Sequence, residues 1–183
     1  MRSNIKNIEE LIDFVNHGNN VKYVFFWGHK KPKSGISKSC FSQWYESEFI
    51  LDNKRYQTAE HFMMAEKARV FGDMESEEKI LKAGNPGKAK KLGRSVLGFD
   101  ERVWCEKRFE IVVNANMAKF SQNHELGEFL LNTGNRVLVE ASPVDKIWGV
   151  GLAEDSDAIN NPNKWKGLNL LGFALMEVRE KLT

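Results

Sequence analysis

The chain has 183 residues, 42% of them hydrophobic and 28% charged, and its 27 lysines and arginines against 25 acids give a formal charge of +2. That is the length of one globular domain with a core of its own. The charge balance argues against a broad, non-specific nucleic-acid surface but allows a local phosphate site. Two distant cysteines, Cys40 and Cys105, and histidines without ligand spacing give no zinc pattern. A reduced cytoplasmic setting follows from the cysteine usage. Met1 to Lys6 leads into a charged amphipathic segment rather than the apolar core of a signal peptide. No apolar run approaches the roughly 20 residues that span a bilayer, so no membrane partner is expected.

Along the chain, Asn7 with Glu10 forms a helix-start box and Gly18 a stop, with Leu11, Ile12, Phe14 and Val15 as the buried stripe. Val21 to Trp27 is β-branched and aromatic and reads as a buried strand. Lys30 to Ser39 is a Lys/Ser/Gly/Pro loop. Glu48 to Tyr56 reads as a hairpin turning at Asp52-Asn53, although Asn-Lys is weaker turn chemistry than Asn-Gly. Thr58 opens a helix; Asp73 to Lys82 is a short one closed by Gly84; and Asn85-Pro86 starts a third carrying Lys88, Lys90, Lys91 and Arg94. Asp100 begins a long helix to about Phe120, with Phe99 and Trp104 in staple positions. Leu126 to Asn132 is helical, Arg136 to Ala141 a strand, Asp145 to Asn163 a glycine-containing loop, and Leu168 to Leu182 the last helix. The expected fold is mainly α (α+β), a single compact helical domain with a few short strands.

The segment Thr58-Ala59-Glu60-His61-Phe62-Met63-Met64-Ala65-Glu66-Lys67-Ala68 is the most informative stretch. Thr58 can accept from a free N–H of the first turn, and Glu60 lies near the positive end of the helix dipole. Lys67, seven residues on, returns to within about 20° of the face of Glu60, about 10.5 Å along the axis. Its stem leans back toward Glu60. With Met63 and Met64 between them, a carboxylate and an amine share a partly desolvated face, where reactivity can be tuned. Periodicity alone favours a plainer reading, a helix with one acid near its start and a snorkelling lysine, both solvated. Trp104 alone reads as core. Arg94 either grips a phosphate or belongs to a solvated basic face. Cys105 reads as a small core filler, and His61 as a structural neighbour of Glu60.

Several segments in order resemble the NADAR family. They are the Phe41…Trp44…Phe49 region, Thr58-Ala59-Glu60-His61 with Lys67-Ala68, Leu92-Gly93-Arg94, Trp104, Lys119-Phe120 and Leu130-Leu131-Asn132-Thr133-Gly134. Val139-Glu140-Ala141, Asp145-Lys146-Ile147-Trp148-Gly149 and Trp165-Lys166-Gly167-Leu168-Asn169-Leu170-Leu171-Gly172 complete the set. The resemblance runs from about Phe25 to the C-terminus. It implies residues 21–183 as a NADAR-like N-glycosidase domain, with residues 1–20 as a helical extension packed on it. Three features depart from the family: this extension, Ser47-Glu48 where a proline often precedes the phenylalanine, and a longer Gly149 to Trp165 loop.

The resemblance implies hydrolysis of a ribose C1′–N bond without a cofactor. The substrates implied are a riboflavin-pathway pyrimidine ribosylamine 5′-phosphate or, as the alternative, ADP-ribose joined to guanine in DNA or RNA. A non-catalytic ADP-ribose or nucleotide-binding module is the reading from a different class. Breaking such a bond needs an acid near the nitrogen and a carboxylate or nucleophile near C1′. The matched catalytic set is Glu60, Lys67, Trp104 and Asp145, the two acids being interchangeable in role. Lys67 can form an imine with an opened sugar if its amine is neutral. Arg94, Trp148 and Asn169 are the matched substrate-binding positions, although Asn169 also suits a helix cap.

Overall fold

The computed structural model describes residues 5–183, so the first four residues of the expected extension lie outside the described residues. Asn7 caps α1 (Ile8–Asn16), its side chain accepting from Glu10 N at 2.8 Å. The first strand, β1 (Tyr23–Phe26), is shorter than expected, and a 3-10 turn at Lys38–Phe41 follows the lysine-rich loop. Strands β2 (Phe49–Leu51) and β3 (Lys54–Tyr56) form the expected antiparallel hairpin. Asp52 and Asn53 both take positive φ, 49° and 61°, the paired left-handed geometry that matches strand twist in a two-residue turn. Side-chain caps set the next three helices: Thr58 before α2 (Ala59–Val70), Asp73 before α3 (Met74–Leu81), and Asn85 before α4 (Pro86–Arg94), with Pro86 at the first helical position. Asp100 caps α5 (Glu101–Gln122), and α6 (His124–Leu131) follows. Strand β4 (Val137–Glu140), a long irregular stretch with a 3-10 turn at Pro162–Lys164, and α7 (Leu170–Lys181) complete the chain. The fold is mainly α with a few short strands, as the sequence suggests.

Strands β1 and β4 pair in parallel, from Tyr23 with Val137 to Phe26 with Glu140. Strand residues alternate between faces, and here the alternation divides the interior in two. Val24, Phe26 and Leu138 face a core shared with α2, α5 and α7. Tyr23, Phe25, Val137 and Val139 face a second core with Leu11 of α1, Val150, Ile159 and Trp165. Helix α2 packs against α3, α4 and α5. Its residues 59–65 are buried on every face, so it is a central helix and not the amphipathic surface helix that periodicity allows.

Two features hold α2 in place. Arg69 donates to Glu66, to Glu77 Oε1 at 2.7 Å and to Tyr56 Oη at 2.8 Å, and Lys54 reaches the same Glu77 oxygen at 2.5 Å, tying the hairpin and α3 to α2. On the other side, Gly93 of α4 lies against Met64. A Cβ at Gly93 would stand 2.0 Å from Met64 Sδ and 2.8 Å from its Cγ, so the absent side chain is what lets α4 approach α2.

Candidate active site

The C-terminal ends of β1 and β4 open onto a cavity of about 630 Å³, a volume suited to a small-molecule ligand. Its walls come from the residues just after each strand, from the turn at Ser42–Trp44, and from α2, α4 and α5. Glu60, Lys67, Trp104, Asp145, Arg94 and Trp148 all line it. Asn169 does not. Its Oδ1 accepts from Glu140 N at 3.0 Å and its Nδ2 donates to Leu138 O at 2.9 Å, so both polar ends bind the β4 backbone. The substrate contact expected for Asn169 is thus replaced by a bracket on β4. Nor does its side chain cap α7, although its φ of 54° begins that helix. Cys105 is exposed rather than a core filler, because it lies on the outer face of α5 beside the inward-facing Trp104.

Glu60 is 3% exposed, and its Oε1 is buried without a hydrogen-bond partner. Burial pushes its carboxyl up to about 7; the Asp145 charge adds to this, while Lys90, a hydrogen bond from the Trp44 side chain and Arg94 oppose it. A carboxyl in that range can carry a proton and release it near neutrality. Lys67 Nζ stands 4.3 Å from the Phe99 ring centroid and 5.6 Å from that of Trp104. Burial holds this amine below its ordinary range, Arg94 pushes it further down, and Glu60 opposes. Asp145 sits in a tight turn: Oδ1 accepts from Ile147 N at 2.9 Å and Trp148 N at 2.8 Å, and its own N–H donates to Ser142 Oγ at 3.1 Å. The same turn therefore fixes the carboxylate and aims Trp148 at the cavity. Gly167 allows it to close, since a Cβ there would stand 2.3 Å from Gly149 O and 2.7 Å from Lys146 Cα.

Of the four basic residues on α4, Lys90 and Arg94 face the cavity. They are four apart and so share a helix face, whereas Lys88 and Lys91 point to solvent. His61 lies outside the lining. Its Nε2 bonds Ala83 O at 2.9 Å, so that nitrogen donates, and Nδ1 accepts from Thr58 Oγ at 2.8 Å. This is a neutral, structural histidine, and burial depresses its protonation further. Among the described residues no three His, Cys, Asp or Glu side chains are arranged to hold a metal ion.

Among the lining residues to which the sequence assigns no role, Glu140 and Gln43 each bury an unpaired polar atom. Glu140 ends β4 on the face of Leu138; its Oε2 is buried and unpaired, and burial pushes its carboxyl up to about 8, Asp145 and Glu60 adding and Lys90 opposing. Gln43 is 5% exposed and follows the turn that Lys119 secures by donating to Cys40 O at 2.6 Å and Ser42 O at 2.9 Å. Its backbone carbonyl accepts from Glu60 N at 3.0 Å, binding this turn to the start of α2. A glutamate ending an apolar strand, Val-Leu-Val-Glu, was the available signal for the first. The second had none beyond its place between Phe41 and Trp44.

The NADAR domain family matches residues 25–183. N-glycosidase R617 of Acanthamoeba polyphaga mimivirus is 47% identical over 166 residues, covering 87% of this chain and 96% of that protein. Protein irg-1 of Caenorhabditis elegans is 34% identical over 177 residues, 92% of this chain and 84% of its own length. N-glycosidase YbiA of Escherichia coli K12 is 33% identical over 144 residues, 79% of each chain. The solution structure of E. coli YbiA superposes with a TM-score of 0.71 at 26% identity, covering 99% of this chain and 90% of that one. With the family match spanning nearly the whole chain and a YbiA-like fold around the cavity, the chain belongs to the NADAR family.

Proposed function

We propose that this protein hydrolyses the ribose C1′–N bond of a pyrimidine ribosylamine 5′-phosphate of the riboflavin pathway. The reaction class, a hydrolase acting on N-glycosyl bonds, is that named for its relatives R617 and YbiA. The observation that carries the finer reading is the grouping of Glu60, Asp145 and Glu140 with Lys67, Lys90 and Arg94 around a tryptophan-walled cavity of about 630 Å³.

The roles follow from environment. Glu60, protonated near neutrality, gives its proton to the departing base nitrogen as the C1′–N bond breaks and its electron pair moves to the base. Asp145 faces the positive character that develops at C1′ and orients the water whose oxygen bonds to that carbon; the water's proton passes to a carboxylate. Trp104 and Trp148 stack on the base or exclude bulk water. Arg94 and Lys90 receive the 5′-phosphate. Lys67, its amine biased toward the neutral form, allows a covalent variant: the amine adds to C1′ of the ring-opened sugar, the C1′–N bond to the base breaks as the base leaves with a proton from Glu60, and water hydrolyses the resulting Lys67 imine to free sugar and amine.

A second reading has its own support. Trp27 is 59% exposed and Val144 82% exposed at the cavity mouth, an apolar rim that suits a substrate larger than a mononucleotide, such as ADP-ribosylated guanine in DNA or RNA. Incubation with each substrate side by side, following released base and sugar, separates the two. Release from the ribosylamine phosphate, abolished by Glu60→Gln and Asp145→Asn in folded protein, supports the first. Release from the modified nucleic acid alone supports the second. Saturable binding with no release from either supports a non-catalytic binding module.

A further inference from the structure

We propose that the Gln43 carboxamide donates a hydrogen bond to a ring carbonyl of the departing base, and that this bond strengthens as the base leaves. The inference rests on the N-glycosidase reading of the same cavity and adds a recognition element to it. Val112 O can only accept, so the Asn116 atom 2.9 Å from it is the nitrogen. That same nitrogen lies 2.7 Å from the Gln43 side chain, so the Gln43 atom facing it is the oxygen. The NH₂ end of Gln43 is thereby fixed as the other end, and it is buried with no partner, on a residue that lines the cavity. A buried donor without a partner is costly unless a ligand or water completes it.

The position of Gln43 selects what it meets. Cations gather at Lys90 and the exposed Arg94, where an anionic phosphate belongs. Gln43 is neutral and is bonded through its backbone to the start of α2 at Glu60, and its neighbour Trp44 lines the same cavity. A neutral acceptor carried by the group that takes the Glu60 proton is therefore the fitting partner. When the C1′–N bond breaks, the electron pair delocalises from nitrogen onto a conjugated ring oxygen. A fixed N–H donor at that oxygen stabilises the charge that develops while the proton is in transfer and needs no reorganisation.

The test compares a pyrimidinone ribosylamine 5′-phosphate with its analogue in which the ring carbonyl is replaced by C–H, on wild type, Gln43→Met and Gln43→Glu. Gln43→Glu keeps an acceptor for Asn116 and so preserves the fold if Gln43→Met does not. Both variants are expected to lower kcat about 100-fold on the carbonyl substrate and less than about 3-fold on the analogue. Equal losses on both substrates, or no loss on either, overturn the proposal. Calorimetry with the two free bases needs no turnover: wild type should prefer the carbonyl base and the variants should not. If wild type turns over neither substrate but shows this preference, the glycosidase reading fails while the donor role stands. Wild type that binds the two bases equally, or binds neither, overturns the donor role itself.

Discussion

Replacing Glu60 by glutamine should make the protein more stable and less active at once. The Glu60 carboxyl is almost fully enclosed, with one oxygen unpaired, and burial carries it from an ordinary 4.5 to about 7. In the unfolded chain it ionises near 4.5, so between there and about 7 the folded state binds more protons and stability falls as pH rises. Below 4.5 both states are neutral and the folded protein bears no ionic penalty; above about 7 it bears the whole of it. At about 1.4 kcal/mol for each pH unit, the penalty is about 3 kcal/mol. Glutamine has the same shape and does not titrate. The stability of Glu60→Gln relative to wild type should thus grow by about 3 kcal/mol between pH 4.5 and pH 8. Comparing the two pH values cancels any fixed difference in packing; Glu140 titrates in both proteins, and losing the Glu60 charge in the variant eases its ionisation and so adds to the difference in the same direction. Urea unfolding of both proteins at each pH measures the change, and turnover at pH 7 should fall about 10²- to 10⁴-fold. A stability difference that is the same at both pH values would refute the burial argument. A variant with the wild-type rate would remove Glu60 from the reaction.

Other perturbations separate the remaining roles. If the imine route operates, borohydride added during turnover should attach sugar to Lys67, detectable by peptide mass; substrate-dependent trapping that persists in Lys67→Ala would rule that residue out. Arg94→Lys keeps the charge but loses the two-pronged grip, so KM should rise about 10-fold for a phosphorylated substrate and little for its dephosphorylated form; equal effects would reject the phosphate contact. Glu77→Ala should cost about 3 kcal/mol at pH 7, less than a fully enclosed pair because Arg69 and Lys54 remain reachable by water. Burial pushes the Glu77 carboxyl up, but hydrogen bonds from Lys54 and Arg69 win and hold it below its ordinary 4.5. Its contribution is therefore present above 4.5 and lost as pH falls through its folded value. The gap between wild type and Glu77→Ala in urea unfolding should narrow in acid, and a gap that widens would contradict the pairing.

What the sequence made legible divides along a physical line. Local chemistry was readable: Asn7, Thr58, Asp73, Asn85 and Asp100 each bond the first turn of a helix, because a cap depends on residues within three positions. The Asp52-Asn53 turn was readable for the same reason. Spacing placed Glu60 and Lys67 on one side of α2, and both line the cavity. What spacing could not supply was the burial of α2 on all sides. That burial comes from α3, α4, α5 and the hairpin closing around it, and it is what lifts the Glu60 carboxyl toward neutrality.

Asn169 and Glu140 show the limit most clearly, and they belong to one arrangement. Asn169 stands at a helix start and reads as a cap or a ligand contact by position alone. Its side chain instead crosses to β4, holding Leu138 O and Glu140 N at once. A residue at Gly172 larger than glycine would obstruct this, since a Cβ there would lie 2.0 Å from Leu138 O and 2.5 Å from Asn169 Nδ2. Alternation along Val137–Glu140 puts Glu140 on the face of Leu138, but sequence does not say which face meets α2. The parallel pairing with β1 decides that, and Phe26 opposite Glu140 marks where the sheet stops and the cavity begins. Glu140 is thus an acid carried one step past the last buried strand residue, on the inward face, with its backbone fixed by Asn169. Three carboxyls consequently share the cavity, where sequence offered two. Burial, with the Asp145 charge adding to it at both positions, holds Glu60 and Glu140 toward their protonated forms, so in the proposed reaction the site carries both the proton that a departing base takes and a neighbour able to restore it.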